Sequence, residues 1–184
     1  MDTVHILGFA GSLRQASYNK ALLRAAGELL PPGASLETFD LEGIPFFNQD
    51  LEENLPARVN EFKSRIRAAQ AVLIVTPEYN FSVPGLTKNA LDWASRPPKD
   101  SVWPGKPVAI MSASTGMLGG SRAQYHLRQT LLFLDVKAVT KPEVFVTFAA
   151  QKFDETGKLT DGATRGVVAD LLKALVNLAA GTAR

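Results

Sequence analysis

The chain has 184 residues, of which 46% are hydrophobic and 21% charged, with a formal net charge of +2 and no cysteine. That length supports one buried core and is short for two, and the composition excludes a disordered chain. Without thiols there are no disulfides, no thiol redox chemistry and no cysteine metal ligands; scattered charge gives nucleic-acid binding little support, and no apolar run is long enough to span a membrane.

Met1 leads straight into a strand, with none of the basic, apolar and small-residue regions of a secretion signal, so the expected location is the cytoplasm. Val4 to Ala10 reads as a first, central strand. The polar loop Gly11-Ser12-Leu13-Arg14-Gln15-Ala16-Ser17 follows, and then Ala21, Leu22, Ala25, Ala26, Leu29 and Leu30 recur with helical spacing until Pro31-Pro32-Gly33. Ser35 to Asp40 is a second strand, and Leu41 to Pro56 is irregular and expected over the carboxyl edge of the sheet. Ala57 to Gln70 places Val59, Phe62, Ile66 and Ala69 on one helical face. Ala71 to Thr76 is a continuous apolar, mostly β-branched run, as in a parallel strand covered on both faces, and Pro77 stops it because proline has no N–H to donate.

The loop Pro77-Glu78-Tyr79-Asn80-Phe81-Ser82-Val83-Pro84-Gly85 comes next, then a short helix Thr87 to Ser95 ended by Pro97-Pro98. Pro107 to Ala113 is another buried strand, followed by Ser114-Thr115-Gly116-Met117-Leu118-Gly119-Gly120 and a helix Ser121 to Leu134. A strand near Val139 to Phe148, a turn centred on Gly157 and a helix from about Thr164 to Ala180 close the chain. Strands alternating with helices imply a parallel sheet with right-handed crossovers. The expectation is one α/β domain over residues 1–184, with the flavodoxin-like three-layer α/β/α architecture and a five-stranded parallel sheet of order 2-1-3-4-5, whose ligand crevice opens between strands 1 and 3. The loops after Ala10, Thr76 and Ala113 then converge on one edge.

The first of these loops offers Ser12, Arg14, Ser17 and Asn19 at a helix start, where unpaired N–H groups and the positive end of the helix dipole favour an anion. The residues alone leave two readings open: a phosphate site, or Ser17 capping its helix with Arg14 in solvent. Neither a Walker pattern nor Gly-x-Gly-x-x-Gly is present, which favours one terminal phosphate over a di- or triphosphate. In the second loop Glu78, Tyr79 and Asn80 between two prolines make a stiff wall suited to a planar heterocycle. The third loop, rich in glycine, lets backbone N–H groups approach a ligand. His5 in a strand and His126 on a helix lack metal-ligand spacing and read as structural, and no Gly-x-Ser-x-Gly elbow exists.

Gly11-Ser12-Leu13-Arg14 with Ser17 and Asn19, Pro77-Glu78-Tyr79-Asn80 continuing through Ser82-Val83-Pro84-Gly85-Leu86-Lys88-Asn89-Asp92-Trp93, and Gly119-Gly120-Ser121-Arg122 followed by Tyr125-His126-Leu127-Arg128 resemble the NADPH-dependent FMN reductases, in particular their bacterial chromate, quinone and azo-dye reductase branch. The resemblance implies non-covalent FMN, with Ser12, Arg14, Ser17 and Asn19 on its phosphate, Pro77, Glu78, Tyr79 and Asn80 along the isoalloxazine, and Ser112, Ser114, Thr115 and Gly116 near its polar edge. NADPH or NADH would deliver a hydride to the flavin, which passes two electrons to a quinone, azo compound, free flavin or chromate. No side chain need act as nucleophile or base. The resemblance also implies a homodimer, or a dimer of dimers, with flavin at the subunit boundary. Phe81 or a surface-exposed Trp93 would suit such an interface, and Arg122 with Tyr125 would pair with Glu143 across it. The competing expectations are a flavodoxin-type electron carrier, disfavoured by a sequence pI near 8.9, and a redox-sensing flavoprotein acting through a protein partner.

Overall fold

The computed structural model describes residues 3–182; Met1, from which the first strand was expected to lead, lies outside them. Among the described residues there are six strands and five α-helices, alternating up to α4: β1 (Val4–Ala10), α1 (Tyr18–Glu28), β2 (Ala34–Phe39), α2 (Ala57–Ala68), β3 (Ala71–Val75), α3 (Gly85–Ala94), β4 (Pro107–Ala113), α4 (Ser121–Phe133), β5 (Lys137–Ala138), β6 (Val144–Val146) and α5 (Gly162–Thr182). All the pairings in the sheet are parallel, in the order β2-β1-β3-β4-β5, as the alternation of strands and helices predicts.

The fifth position differs from expectation. In place of one strand from Val139 to Phe148, β5 pairs with the start of β4 (Val108 opposite Ala138) and β6 with its end (Met111 opposite Val144). Pro142 lies between them and has no N–H for the ladder, so the chain leaves the sheet there and returns. The other boundaries shift by a few residues; α3, expected from Thr87, starts at Gly85, directly after Pro84.

Strand side chains alternate between two cores, which gives the molecule its three layers. Ile6 and Ala10 of β1, Leu73 and Val75 of β3, and Ala109 and Met111 of β4 pack with α1 and α5. Leu7 and Phe9, Val72 and Ile74, and Val108 and Ile110 pack on the opposite face, with Phe62 and Ile66 of α2, Leu91 of α3 and Leu127 of α4. Each of these strand residues is at most 6% exposed, as the unbroken apolar runs of β1, β3 and β4 require. Trp93, expected at the surface, is fully buried, and its indole N–H donates to Pro45 O at 2.8 Å. It thereby fixes the irregular 41–56 segment, and it is unavailable to a partner. His5 has the structural role expected of it, with Nδ1 3.2 Å from Ser35 Oγ and Nε2 3.0 Å from Glu37 on β2.

Lys63 is the departure that a helical pattern does not show. It sits on the buried face of α2, 1% exposed, with its ammonium donating to Arg96 O and, at 2.7 Å, to Asp100 Oδ2. Its stem fills apolar space while its head pins the segment after α3.

Candidate functional site

The loops after β1, β3 and β4 meet at the carboxyl edge of the sheet, around a cavity of about 180 Å³ lined by Ser12, Arg14, Ser17, Tyr18, Asn19, Pro77, Glu78, Tyr79, Ala113, Ser114 and Thr115. The crossover order puts it between β1 and β3, where the parallel sheet changes winding direction. Among the described residues no cluster of three or more His, Asp or Glu could hold a metal ion.

The first loop is shaped by close packing. Gly11 N donates to Val75 O at 2.8 Å, and a Cβ at Gly11 would overlap Thr87 Oγ1 and press on Thr76 and Pro77, so only glycine fits where the first two loops touch. Ser17 caps α1: its hydroxyl accepts from Asn19 N at 3.2 Å and Lys20 N at 3.4 Å. Ser12 Oγ accepts from Arg14 N at 3.3 Å, while the Arg14 guanidinium reaches to within 5.8 Å of the Tyr18 ring centroid. Among the described residues the N–H groups of Ser12, Leu13, Gln15, Ala16 and Tyr18 have no acceptor. Capping and anion binding are therefore compatible, because Ser17 satisfies two N–H groups and leaves a row of others.

Asn19 lines the cavity and also has a structural role that its position in the sequence does not show. It is 3% exposed, and its amide clasps a single residue of β4: Nδ2 donates to Ala113 O at 2.9 Å, and Oδ1 accepts from Ala113 N at 2.9 Å. Both ends of the amide are committed, so Asn19 locks the first loop to the third beside the cavity.

The second loop closes as a two-residue hairpin, Tyr79 N to Ser82 O at 3.1 Å and Ser82 N to Tyr79 O at 3.0 Å. Asn80 and Phe81 at its tip have φ of 49° and 66°, the left-handed values that a type I′ turn demands. Asparagine tolerates this; for phenylalanine it is strained backbone of the kind held at functional sites. The N-terminus of α4 holds the tip in place. Glu78 accepts from Arg122 N at 3.1 Å, Arg122 Nε at 2.6 Å and Ala123 N at 3.3 Å, so its carboxylate caps α4 in place of an N-cap side chain that Gly120 lacks. The Arg122 guanidinium stacks over the Phe81 ring, 3.5 Å from the centroid, and Ser82 Oγ lies 3.0 Å from His126 Nδ1. Arg122, expected to reach Glu143 across an interface, is thus engaged by Glu78 within its own chain, and Glu143 pairs with Lys141.

In the third loop Ser114 and Thr115 line the cavity and Gly116 does not, nor does Asn80 of the second loop. Ser112, expected at the polar edge of a ligand, is fully buried; its hydroxyl donates to Gly119 O at 2.6 Å and accepts from Gln124 Nε2 at 2.7 Å. It braces the loop from behind because β4 turns its side chain away from the cavity. Gly119 and Gly120, at φ of 57° and 86°, lie where any Cβ would strike Phe145 or Ser112. The N–H groups of Glu78, Asn80 and Thr115 have no acceptor among the described residues. Sequence reasoning missed Tyr18 and Ala113 as lining residues; the position of Tyr18 immediately after the Ser17 cap was the available signal.

These features suit a flat group with carbonyl acceptors on one edge and a phosphate at the far end: unpaired N–H groups flank Tyr79, and a capped helix start with hydroxyls and a guanidinium closes the other side. Comparison with known proteins agrees. The sequence profile of the NADPH-dependent FMN reductases matches residues 4–151. An NAD(P)H-dependent FMN reductase of Pseudomonas aeruginosa is 50% identical over 175 residues, spanning 95% of this chain and 94% of that protein. An NAD(P)H:quinone oxidoreductase of Solanum tuberosum is 45% identical over 183 residues, spanning 96% and 93%. Among solved structures, FerB of Paracoccus denitrificans, a flavoenzyme NAD(P)H:(acceptor) oxidoreductase, superposes with a TM-score of 0.90 at 32% identity, covering 98% of this chain and 99% of that one.

Proposed function

Since the chain belongs to the NADPH-dependent FMN reductase family, we propose that the cavity between its three loops is the FMN site and that the protein passes electrons from NAD(P)H to quinones there. The chain is an NAD(P)H-dependent oxidoreductase with FMN as its cofactor. When bound, FMN supplies the hydride acceptor and the two-electron relay. The residues supply placement. Ser12, Ser17, Arg14 and the unpaired N–H groups of the first loop would hold the phosphate, Pro77 and Tyr79 would wall the ring, and the N–H groups of Glu78 and Thr115 would face its carbonyl and nitrogen edge.

The observation that carries this reading is the convergence of those donors on one cavity beside a half-exposed aromatic wall. Around the cavity, Leu13, Tyr79, Phe81, Met117 and Leu118 are 44–71% exposed, an apolar rim suited to planar, weakly polar acceptors. Quinones are accordingly the first acceptor class, with azo compounds, free flavin and chromate reduced at the same exposed ring. On its outer side α4 exposes Tyr125, Leu132 and Phe133, the last two 80% and 88% accessible. A second copy of the chain covers this stripe in a homodimer or dimer of dimers, with Phe81 at the boundary. The domain acts as a single flavin-binding unit in the cytoplasm; none of its described helices is long and apolar enough to cross a membrane.

The test is an anaerobic absorption spectrum of FMN-loaded protein before and after one equivalent of NADPH, then after a quinone. Bleaching by NADPH and recovery with quinone is the expected result. Bound flavin that NADPH leaves oxidised would refute the reductase cycle, and failure to bind FMN would refute the site.

A further inference from the structure

Gln124 of α4 is wholly buried, and its amide is the hub of the network behind the third loop. One Nε2 hydrogen goes to Ser112 Oγ at 2.7 Å and the other to Val144 O at 2.9 Å, so the side chain ties β4 to β6. Turning the amide over would set its oxygen against Val144 O, two acceptors together, so the partners themselves fix which end is nitrogen. The Ser112 hydroxyl, having accepted from Gln124, points its own proton at Gly119 O, 2.6 Å away. That bond joins the two ends of the 113–119 loop, and Gly120 packs so closely behind it that an added Cβ would lie 2.7 Å from Ser112 Cβ. Between those ends Ser114 N donates to Val146 O at 3.0 Å, two residues beyond Val144 on β6. Both anchors of the loop therefore lead back to one amide. Gln124 Oε1 meets no donor among the described residues. A buried acceptor left unpaired carries a cost that an apolar side chain of the same length would avoid, so packing alone does not account for a glutamine here.

We propose that Gln124 is a positioning residue for the flavin ring: it does not touch the cofactor, and it holds Ser114 and Thr115 in the shape the ring edge requires. The inference rests on the reading of this cavity as the FMN site. Ser114 and Thr115 line the cavity, and Thr115 N–H has no acceptor among the described residues. A loop already held in shape spares the ligand the cost of ordering it. Arg128, one turn further along α4, supplies the contrast. Its Nη1 donates to Val139 O at 3.1 Å, and Val139 N donates to Val108 O near the start of β4, the end of that strand remote from the loop.

The experiment is fluorescence titration of flavin-free wild type, Gln124→Met, Ser112→Ala, the double variant and Arg128→Met with FMN and with riboflavin, paired with amide hydrogen exchange over residues 113–120 in the absence of flavin. Riboflavin lacks the phosphate, so it reports the ring end of the site alone. Gln124→Met and Ser112→Ala are each expected to weaken both flavins by the same factor, about fivefold, with faster exchange across 113–120. The double variant loses no more than the weaker-binding single variant, because both changes break one chain of hydrogen bonds. Arg128→Met leaves both affinities within about twofold. Wild-type affinity in Gln124→Met, a loss confined to FMN, or additive losses in the double variant would overturn the proposal and leave the flavin site intact. Should Gln124→Met not fold, Ser112→Ala, which deletes a single oxygen, decides by its FMN and riboflavin affinities. A wild type that binds neither flavin would refute the site reading and with it the positioning role; faster exchange in Gln124→Met would then identify the amide as a clamp on the loop and nothing more.

Discussion

Replacing Asn19 with alanine separates a residue that positions the site from one that touches the ligand. The side chain makes two hydrogen bonds of 2.9 Å to the N–H and C=O of Ala113, a residue 3% exposed. Truncation leaves both backbone groups without partners, each costing about 1–3 kcal/mol when buried. Ala113 also lines the cavity, so water reaching it relieves part of that penalty. A net loss of about 3 kcal/mol follows, equivalent in a chain of this size to a Tm about 6–12 °C lower. The measurement is urea unfolding of flavin-free wild type and Asn19→Ala, paired with FMN affinity from quenching of flavin fluorescence. The expected pattern is a large stability loss in the absence of flavin together with weakened FMN binding, because the first and third loops are no longer tied. If the flavin-free variant is as stable as wild type within about 0.5 kcal/mol while FMN affinity collapses, Asn19 contacts the phosphate and the clasp is incidental.

The same assays check three other expectations. Gly11→Ala drives a methyl group into Thr87 and should destabilise by about 3 kcal/mol, with Thr87→Ala in the same chain restoring much of the loss; an unaffected single variant would show that the loops are not packed as described. Glu78→Gln removes the ion pair with Arg122 and weakens the cap on α4, for a loss of about 1–2 kcal/mol that is not additive with Arg122→Ala; strict additivity would uncouple the two residues. The hydrogen bond from Lys63 holds the Asp100 carboxyl below its ordinary value; partial burial opposes this, and the bond from Arg67 adds to it. A carboxyl group whose folded pKa is depressed stabilises above its unfolded pKa, near 3.9, and that contribution disappears as pH falls through the folded value. The stability gap between wild type and Asp100→Asn should therefore be constant above about pH 5 and narrow on acidification below the unfolded pKa; a gap that widens as pH falls would contradict the assignment.

The sequence by itself determined the parallel sheet, its strand order and the edge at which its three distinctive loops meet. Runs such as Ala71 to Thr76 are apolar on both faces, and only a strand between two helical layers buries both. It also marked Ser17 as a cap and the Pro77–Pro84 loop as stiff, since both are local properties of a few neighbouring residues. The tertiary structure alone decided what each polar side chain does. Asn19 and Ser112 carry the chemistry expected of ligand-binding groups, yet one clasps Ala113 and the other braces Gly119, because residues far apart in the chain supply their partners. Glu78 and Arg122, 44 positions apart, meet only because β3 and β4 lie side by side. Trp93 and Lys63 show the same limit, an aromatic expected outside and a charge not expected inside, each fixed by carbonyls of loops brought from elsewhere in the fold. Patterns of apolar residues report burial averaged over a whole element, whereas hydrogen-bond partners are set by contacts that form only when the elements have packed.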